Sequence, residues 1–289
     1  MPRTKEDWMI NAVRSLLNGA AKLSVRQSGR IGYRFLARPR RPAVDAPGQQ
    51  FLRWAEQDQI RIHGHLIQTY HWPGKGPKVL LLHGWESCSA RWQAYFNDFR
   101  EAGYDIYAFD GPGQGRSSGK VFSVMLYAAI LEAYLEHFDD FPAYWVGHSA
   151  GGMAAIYYLI KREGRLKPEQ LVLLGVPGEL SDFVDKFVDV LQVNDGVRDA
   201  IEREFIRKHG MSFAEISFIE MAQSLTIPGL ILHDREDDLA PFSGAEAIHA
   251  NWPQSQLIAT SGRTHSLLGA DIPSLVVDYL SGKKVVNPV

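Results

Sequence analysis

Phe141-Pro142-Ala143-Tyr144-Trp145-Val146-Gly147-His148-Ser149-Ala150-Gly151-Gly152 is the stretch on which the reading of this chain turns. Aromatic and β-branched strand formers run into Gly-x-Ser-x-Gly, and the chain continues as a helix-like stretch from Met153 to Ile160. Gly-x-Ser-x-Gly alone is a weak signal, because glycine is common enough for chance matches. The strand-turn-helix setting gives it content. The glycines permit a turn sharp enough to lift the Ser149 hydroxyl clear of a sheet edge.

Outward from this turn the pattern alternates. Lys78-Val79-Leu80-Leu81-Leu82-His83-Gly84 is a continuous apolar run, the mark of a strand covered on both faces. The pattern then predicts a helix over 89–101, strand 105–110, helix 121–137, strand 143–147, helix 150–163 and strand 170–175. Strand 229–233, a helix over 245–252, strand 256–260 and helix 272–280 complete the series. Such alternation predicts an α/β fold, a mostly parallel central sheet with helices on both faces. Between Glu179 and Leu225 the pattern is helical only, with Phe183, Phe187, Val188 and Leu191 on one face, so this segment is an insertion. Ahead of the first buried strand, 51–56 and 60–72 read as antiparallel strands. Arg38-Pro39-Arg40-Arg41-Pro42 and Pro47-Gly48 break a preceding helical arm. The expected organisation is an arm over 1–48, a core over 49–178 and 226–289, and a helical insertion over 179–225.

The chain of 289 residues is long enough to bury a sizeable core. Its single cysteine, Cys88, excludes an intrachain disulfide and suits a reducing cytoplasm. There is no apolar run of about 18 residues and no signal-peptide pattern, so a cytoplasmic protein is expected. The formal net charge is −2, but it is unevenly placed. Arg3, Lys5, Arg14, Lys22, Arg26, Arg30, Arg34, Arg38, Arg40 and Arg41 face only Glu6 and Asp7 at the start of the chain. Beside them Trp8, Ile10, Val13, Leu16, Leu17, Ala20 and Ala21 recur at helical spacing. Two readings follow for residues 1–41: a helix packed on the body with a solvated basic face, or peripheral contact with an anionic membrane. Nucleic acid is not expected as a partner, because stacking aromatics are not interleaved with the charge and the rest of the chain is acidic. The oligomeric state is not legible.

A serine hydroxyl is a poor nucleophile at neutral pH, so Ser149 needs a base and a group to orient that base. His265, in Ser261-Gly262-Arg263-Thr264-His265-Ser266, lies in the loop after the last strand and is the expected base. His63, His65, His71, His137, His209 and His249 lie on early strands, at helix ends or on a late helix, and read as surface or packing residues. For the acid, Leu230-Ile231-Leu232-His233-Asp234-Arg235-Glu236-Asp237-Asp238 offers several carboxylates after a strand. Asp237 is chosen because its distance from the strand end leaves room to reach the histidine loop. Asp234 or Asp238 could instead cap the following helix, and Glu179 after the preceding strand stands as an alternative acid. The oxyanion hole is expected from the N–H groups of Ala150, at a helix start, and of Trp85 in His83-Gly84-Trp85, with His83 bracing that loop.

These residues resemble the α/β-hydrolase superfamily of the serine esterase and lipase type. His83-Gly84-Trp85 is similar to its oxyanion loop, Asp110-Gly111-Pro112-Gly113-Gln114-Gly115-Arg116-Ser117 to its Asp-x-Pro-Gly-x-Gly-x-Ser turn, and Gly147 to Gly151 to its nucleophile elbow. His233 to Pro241 resembles the acid loop and Gly262 to His265 the histidine loop, in the superfamily's order of Ser, Asp, His. The resemblance implies that 179–225 is a helical cap over the catalytic pocket. Asp234 and Arg263 depart from the residues common at their positions. Arg263 carries positive charge to the pocket mouth or is simply solvated.

The expected activity is a serine hydrolase that cleaves a carboxylic ester of a small or medium apolar substrate through an acyl-enzyme. No metal and no organic cofactor is implied. Phe183, Phe187, Phe213, Phe218 and Met221 are candidates for an apolar substrate pocket, with core packing as the equal alternative. The same triad also serves thioester cleavage, acyl transfer and carbon-carbon bond hydrolysis, and a catalytically inactive binding module is the reading from another class.

Overall fold

The computed structural model describes residues 5–286, with side chains from residue 10 onward. In chain order its helices and strands are α1 (Lys5–Leu23), α2 (Val25–Leu36), α3 (Ala46–Arg53), β1 (Glu56–Ile62), β2 (His65–Trp72), β3 (Lys78–Leu82), α4 (Gln93–Glu101), β4 (Asp105–Phe109), α5 (Val124–Leu135), β5 (Tyr144–His148), α6 (Ala150–Lys161) and β6 (Gln170–Leu174). They continue as α7 (Leu180–Leu191), α8 (Asp195–His209), α9 (Phe218–Ala222), β7 (Gly229–Asp234), α10 (Phe242–Asn251), β8 (Ser255–Thr260) and α11 (Asp271–Leu280). A short 3-10 turn, Ser89–Trp92, precedes α4.

The chain divides into two compact units. The larger contains Pro39–Gly178 and the chain from Phe218 onward, built on an eight-stranded sheet of order β1-β2-β4-β3-β5-β6-β7-β8. β1, β2 and β4 pair antiparallel, and all pairings from β4 to β8 are parallel. This is the predicted α/β architecture. β3 and β7 are buried along almost their whole length, as their apolar runs Val79–Leu82 and Leu230–Leu232 require when both faces are covered. On one side of the sheet, Trp72, Val79, Leu81, Trp92, Phe99 and Ile272 share a core cluster.

The order upstream of β3 differs from the expectation. The strand expected over 51–56 does not form: its first residues belong to α3, because Asp45 caps the helix by accepting from Gly48 N–H at 2.8 Å and Pro47 fits its first turn. The span 60–72 is also not one strand. His63 (φ 47°) and Gly64 (φ 79°) adopt consecutive left-handed conformations, the requirement of a two-residue hairpin turn between β1 and β2.

The smaller unit joins the chain up to Arg38 with Glu179–Ser217. Residues 39–48 and 218–225 group with the sheet unit, so this division falls inside the expected arm and the expected insertion. α2 lies on α8 at backbone contact. A Cβ added to Gly29 would stand 2.3 Å from Ala200 Cβ, and one on Gly32 would stand 2.7 Å from Ile201 Cδ1. The Ser28 hydroxyl donates to Leu17 O (2.8 Å), which ties α2 to α1. Arg14 donates to the carbonyls of Val190 (3.0 Å) and Leu191 (3.2 Å) at the C-terminal end of α7, where a cation also suits the helix dipole. The insertion begins and ends at one stem, with Glu179 bridged to Ser217 and the Ser217 hydroxyl donating to Glu179 Oε1 at 2.7 Å. The outer side of α2 keeps Arg26, Arg30 and Arg34 exposed, with Lys22 and Arg38 beyond its ends. Among the described residues, no helix is long and apolar enough to cross a membrane.

Candidate active site

Ser149 sits between the end of β5 and the first residue of α6, at φ 49° and ψ −120°. A non-glycine residue rarely adopts that backbone, and surrounding packing must hold it there. The glycines around it do so by close approach. A Cβ on Gly147 would meet Gly152 Cα at 2.5 Å, and one on Gly151 would meet Leu82 O at 2.2 Å. Ser149 N–H donates to Leu174 O (2.8 Å), binding the turn to the next strand. Its side chain does not cap α6, so the hydroxyl is not spent on the helix it begins.

Asp237 and His265 are brought together from two loops. His265 Nδ1–H donates to Asp237 Oδ2 at 2.7 Å, with the aspartate side chain fully buried and the imidazole about one-fifth exposed. The other carboxylate oxygen accepts from Leu239 N–H (2.9 Å) and Ala240 N–H (2.8 Å). Burial by itself raises the Asp237 pKa, but hydrogen bonds from His233, His265 and Ala240 outweigh it and hold the carboxyl well below its ordinary 3.8. Asp237 therefore stays ionised and fixes His265 with its free nitrogen at Nε2. Neither Asp234 nor Asp238 caps α10, whose N-cap is Pro241; Asp234 instead accepts from the Thr260 hydroxyl (2.7 Å) and Arg263 N–H (2.8 Å), which anchors the root of the histidine loop. Glu179 belongs to the stem of the smaller unit, and Asp238 is exposed.

The link between elbow and histidine loop is His148, which was not singled out from the sequence. Arg91 Nη1 donates to His148 Nδ1 (2.5 Å), so the histidine proton lies on Nε2, which donates to His265 O at 2.8 Å. Burial first, then the Arg91 charge, pushes His148 well below its ordinary value and keeps it neutral. Arg91 Nη2 donates to Ser266 O (2.9 Å) and the Tyr95 hydroxyl donates to Leu267 O (2.6 Å). Three successive carbonyls of the histidine loop are thus held by three side chains. The rings of His148 and His265 stand 5.0 Å apart, centroid to centroid. No hydrogen bond joins Ser149 Oγ to His265 among the described residues, a spacing that substrate binding commonly closes.

The His83-Gly84-Trp85 loop passes directly over the elbow: a Cβ on Gly84 would stand 3.2 Å from Ser149 Cβ. His83 braces it, donating from Nδ1 to Gly84 O (2.8 Å) and accepting at Nε2 from Gly111 N–H (2.8 Å). Ala150, first residue of α6, has an N–H that the helix itself cannot satisfy. Asp110 holds the neighbouring turns, accepting from Ser89 N–H and Oγ (both 2.8 Å) and from Arg116 N–H (2.8 Å).

Phe213 is buried in the smaller unit, its ring 4.5 Å from that of Phe205. Phe218 and Met221 on α9 are buried in the sheet unit, while Phe183 and Phe187 on α7 are half-buried. Arg263 is ion-paired with Asp271 at 3.0 Å. A surface cavity of about 670 Å³, lined by His63, Glu132, Tyr158, Arg162 and Arg165 among others, includes none of the expected site residues. Among the described residues, no group of three or more His, Cys, Asp or Glu side chains is arranged to hold a metal ion.

Comparison with known proteins agrees with this architecture. A family model described as the alpha/beta hydrolase fold matches residues 77–215. A non-heme haloperoxidase of Rhodococcus erythropolis is 24% identical over 254 residues, covering 72% of this chain and 92% of that protein. A pimeloyl-[acyl-carrier protein] methyl ester esterase of Vibrio vulnificus (strain YJ016) is 27% identical over 239 residues, covering 68% and 91%. Among solved structures, the thioesterase domain from the curacin biosynthetic pathway superposes with a TM-score of 0.59 at 18% identity, covering 79% of this chain and 99% of that one. The chain has the α/β-hydrolase fold.

Proposed function

We propose that this protein is a serine hydrolase that cleaves a carboxylic ester through an acyl-enzyme, with Ser149, His265 and Asp237 as its triad. Ser149 Oγ attacks the ester carbonyl carbon while His265 Nε2 takes the hydroxyl proton. Asp237 stabilises the imidazolium so formed without itself gaining the proton. The carbonyl oxygen becomes an oxyanion that accepts from the N–H groups of Trp85 and Ala150, each contributing about 3 kcal/mol to transition-state stabilisation. Collapse breaks the bond to the leaving oxygen, and His265 returns the proton to make the alcohol. Water then attacks the acyl-enzyme by the same route, releasing the carboxylic acid and restoring Ser149. The observation that carries this reading is the 2.7 Å bond from His265 Nδ1 to the fully buried Asp237 carboxylate, in a loop also bonded to the residue before Ser149.

The methyl ester esterase among the relatives supports an ester substrate, and the thioesterase domain keeps a thioester in view. Labelling with a fluorophosphonate tests the reading. The wild-type protein should be modified at one serine and Ser149→Ala should not, with ester turnover lost in parallel. Equal labelling of both proteins, or of neither, would reject the assignment. Rates on matched p-nitrophenyl esters and thioesters then separate the two leaving groups.

A further inference from the structure

The turn after Trp85 is held by a residue far upstream in the chain. Glu86 has φ 51°, a left-handed backbone that a residue with a Cβ adopts only under constraint. Its carboxylate is mostly buried and receives three donors from Arg40: the backbone N–H to Oε1 (2.9 Å), Nε to Oε2 (2.7 Å) and Nη2 to Oε2 (2.5 Å). The adjoining Arg41 donates to the carbonyls of Gly113 (3.0 Å), Ser117 (2.7 Å) and Gly119 (3.0 Å), fixing the segment that carries Arg40 to the sheet unit. Pro39 and Pro42 flank the pair and restrict its backbone. Read from the sequence, Arg38-Pro39-Arg40-Arg41-Pro42 only ends a helix; in the structure it reaches the loop over Ser149.

We infer that Arg40 and Glu86 form a latch that positions the oxyanion loop, holding the turn at Glu86 so that the Trp85 N–H points toward the developing oxyanion. This rests on the hydrolase reading above. Neither residue touches the reacting atoms; both are positioning residues acting through the Trp85 peptide. Other bonds hold the loop on either side, His83 to Gly84 O before it and Ser89 to Asp110 after it. The latch acts between them, at the residue whose backbone is strained. Misaiming one oxyanion donor should lower kcat and leave ground-state binding almost unchanged.

The test compares wild type, Arg40→Ala, Arg40→Lys, Glu86→Ala and Glu86→Gly on a p-nitrophenyl ester, together with binding of a trifluoromethyl ketone that forms a tetrahedral adduct. Glu86→Ala is expected to lower kcat by on the order of 10- to 100-fold, less than the roughly 100- to 1000-fold for losing an oxyanion donor outright. KM should change less than threefold, and affinity for the ketone should fall in parallel with kcat. Arg40→Ala should lose less, because a backbone donor remains, and Arg40→Lys should recover part of that loss. Glu86→Gly should retain more activity than Glu86→Ala, since glycine adopts the turn without constraint. The half-exposed Arg40 variants keep the test valid if Glu86→Ala does not fold. Unchanged kcat and ketone affinity in the Arg40 and Glu86 variants would overturn the latch alone, as would a rise in KM at constant kcat. A wild-type protein without Ser149-dependent labelling would overturn the hydrolase reading and the latch with it.

Discussion

The loops around Ser149 and the helices of the smaller unit are held in opposite ways. Glu86, Ser149, Thr264 and Leu267 all have positive φ without being glycine, and each lies in the loop after β3, the turn at Ser149 or the loop after β8. Groups from elsewhere reach in to hold these loops: Arg40 bonds the Glu86 carboxylate, His148 the His265 carbonyl and Tyr95 the Leu267 carbonyl. In the smaller unit, α2 and α8 meet where Gly29 and Gly32 leave room for Ala200 and Ile201, in ordinary helical geometry. Positioning chemistry costs backbone strain and needs many directional bonds, whereas packing helices needs volume removed in the right places. Substitutions in the two regions should therefore fail differently.

The largest expected effect is on turnover at the relay. Asp237→Asn should lower kcat by about 10⁴-fold, because an amide disturbs the imidazole tautomer. Near-normal ester turnover in that variant would move the acid role to another carboxylate. One step further out, Arg91→Ala removes the donors to His148 Nδ1 and Ser266 O, and kcat should fall by on the order of 10- to 100-fold as the histidine loop loosens. Unaltered steady-state kinetics would mean that Tyr95 and His148 suffice to hold the loop.

In the smaller unit the expected signal is stability. Gly29→Val forces α2 off α8 and should cost about 1–3 kcal/mol in a urea melt, as overpacking does. An unshifted midpoint would show that the helix contact tolerates a branched side chain, and the contrast between the regions would dissolve. The smallest effect concerns acid. Because the folded Asp237 carboxyl is held below its ordinary value, its contribution to stability is present above roughly pH 4 and lost as pH falls toward the lower folded value. Urea midpoints between about pH 5 and pH 2.5 should fall less steeply for Asp237→Asn than for wild type; identical slopes would refute the linkage. Anionic vesicles at low salt address the exposed arginines of α2, where absence of co-sedimentation would leave them as a solvated face.

The sheet was legible because its strands carry the two-sided apolar runs that parallel pairing demands, and the elbow because glycine spacing is itself the constraint. The adjacency of Asp237 and His265 followed from loop position after strands. What escaped the sequence was of another kind. His148 reads as the variable residue inside a motif, and its role arises only when Arg91 and the 265 carbonyl arrive from distant segments. Residues 51–56 carry Phe51 and Trp54, which suit a strand, yet Asp45 and Pro47 at the start of α3 decide the local structure. The union of α2 with α8 depends on small residues about 170 positions apart in the chain meeting at one contact, a pairing with no local signature.

The backbone of Ser149 has a further consequence for anyone evolving this protein. A screen for heat tolerance alone would favour glycine at position 149, since glycine relieves the left-handed conformation at no steric cost while deleting the proposed nucleophile. Leu267, also at positive φ, resists the same drift because its side chain is fully buried in the core and glycine there would leave a cavity. Selection for durability in this chain must therefore be coupled to a readout of the proposed hydrolysis, or it will remove the Ser149 hydroxyl on which that proposal rests.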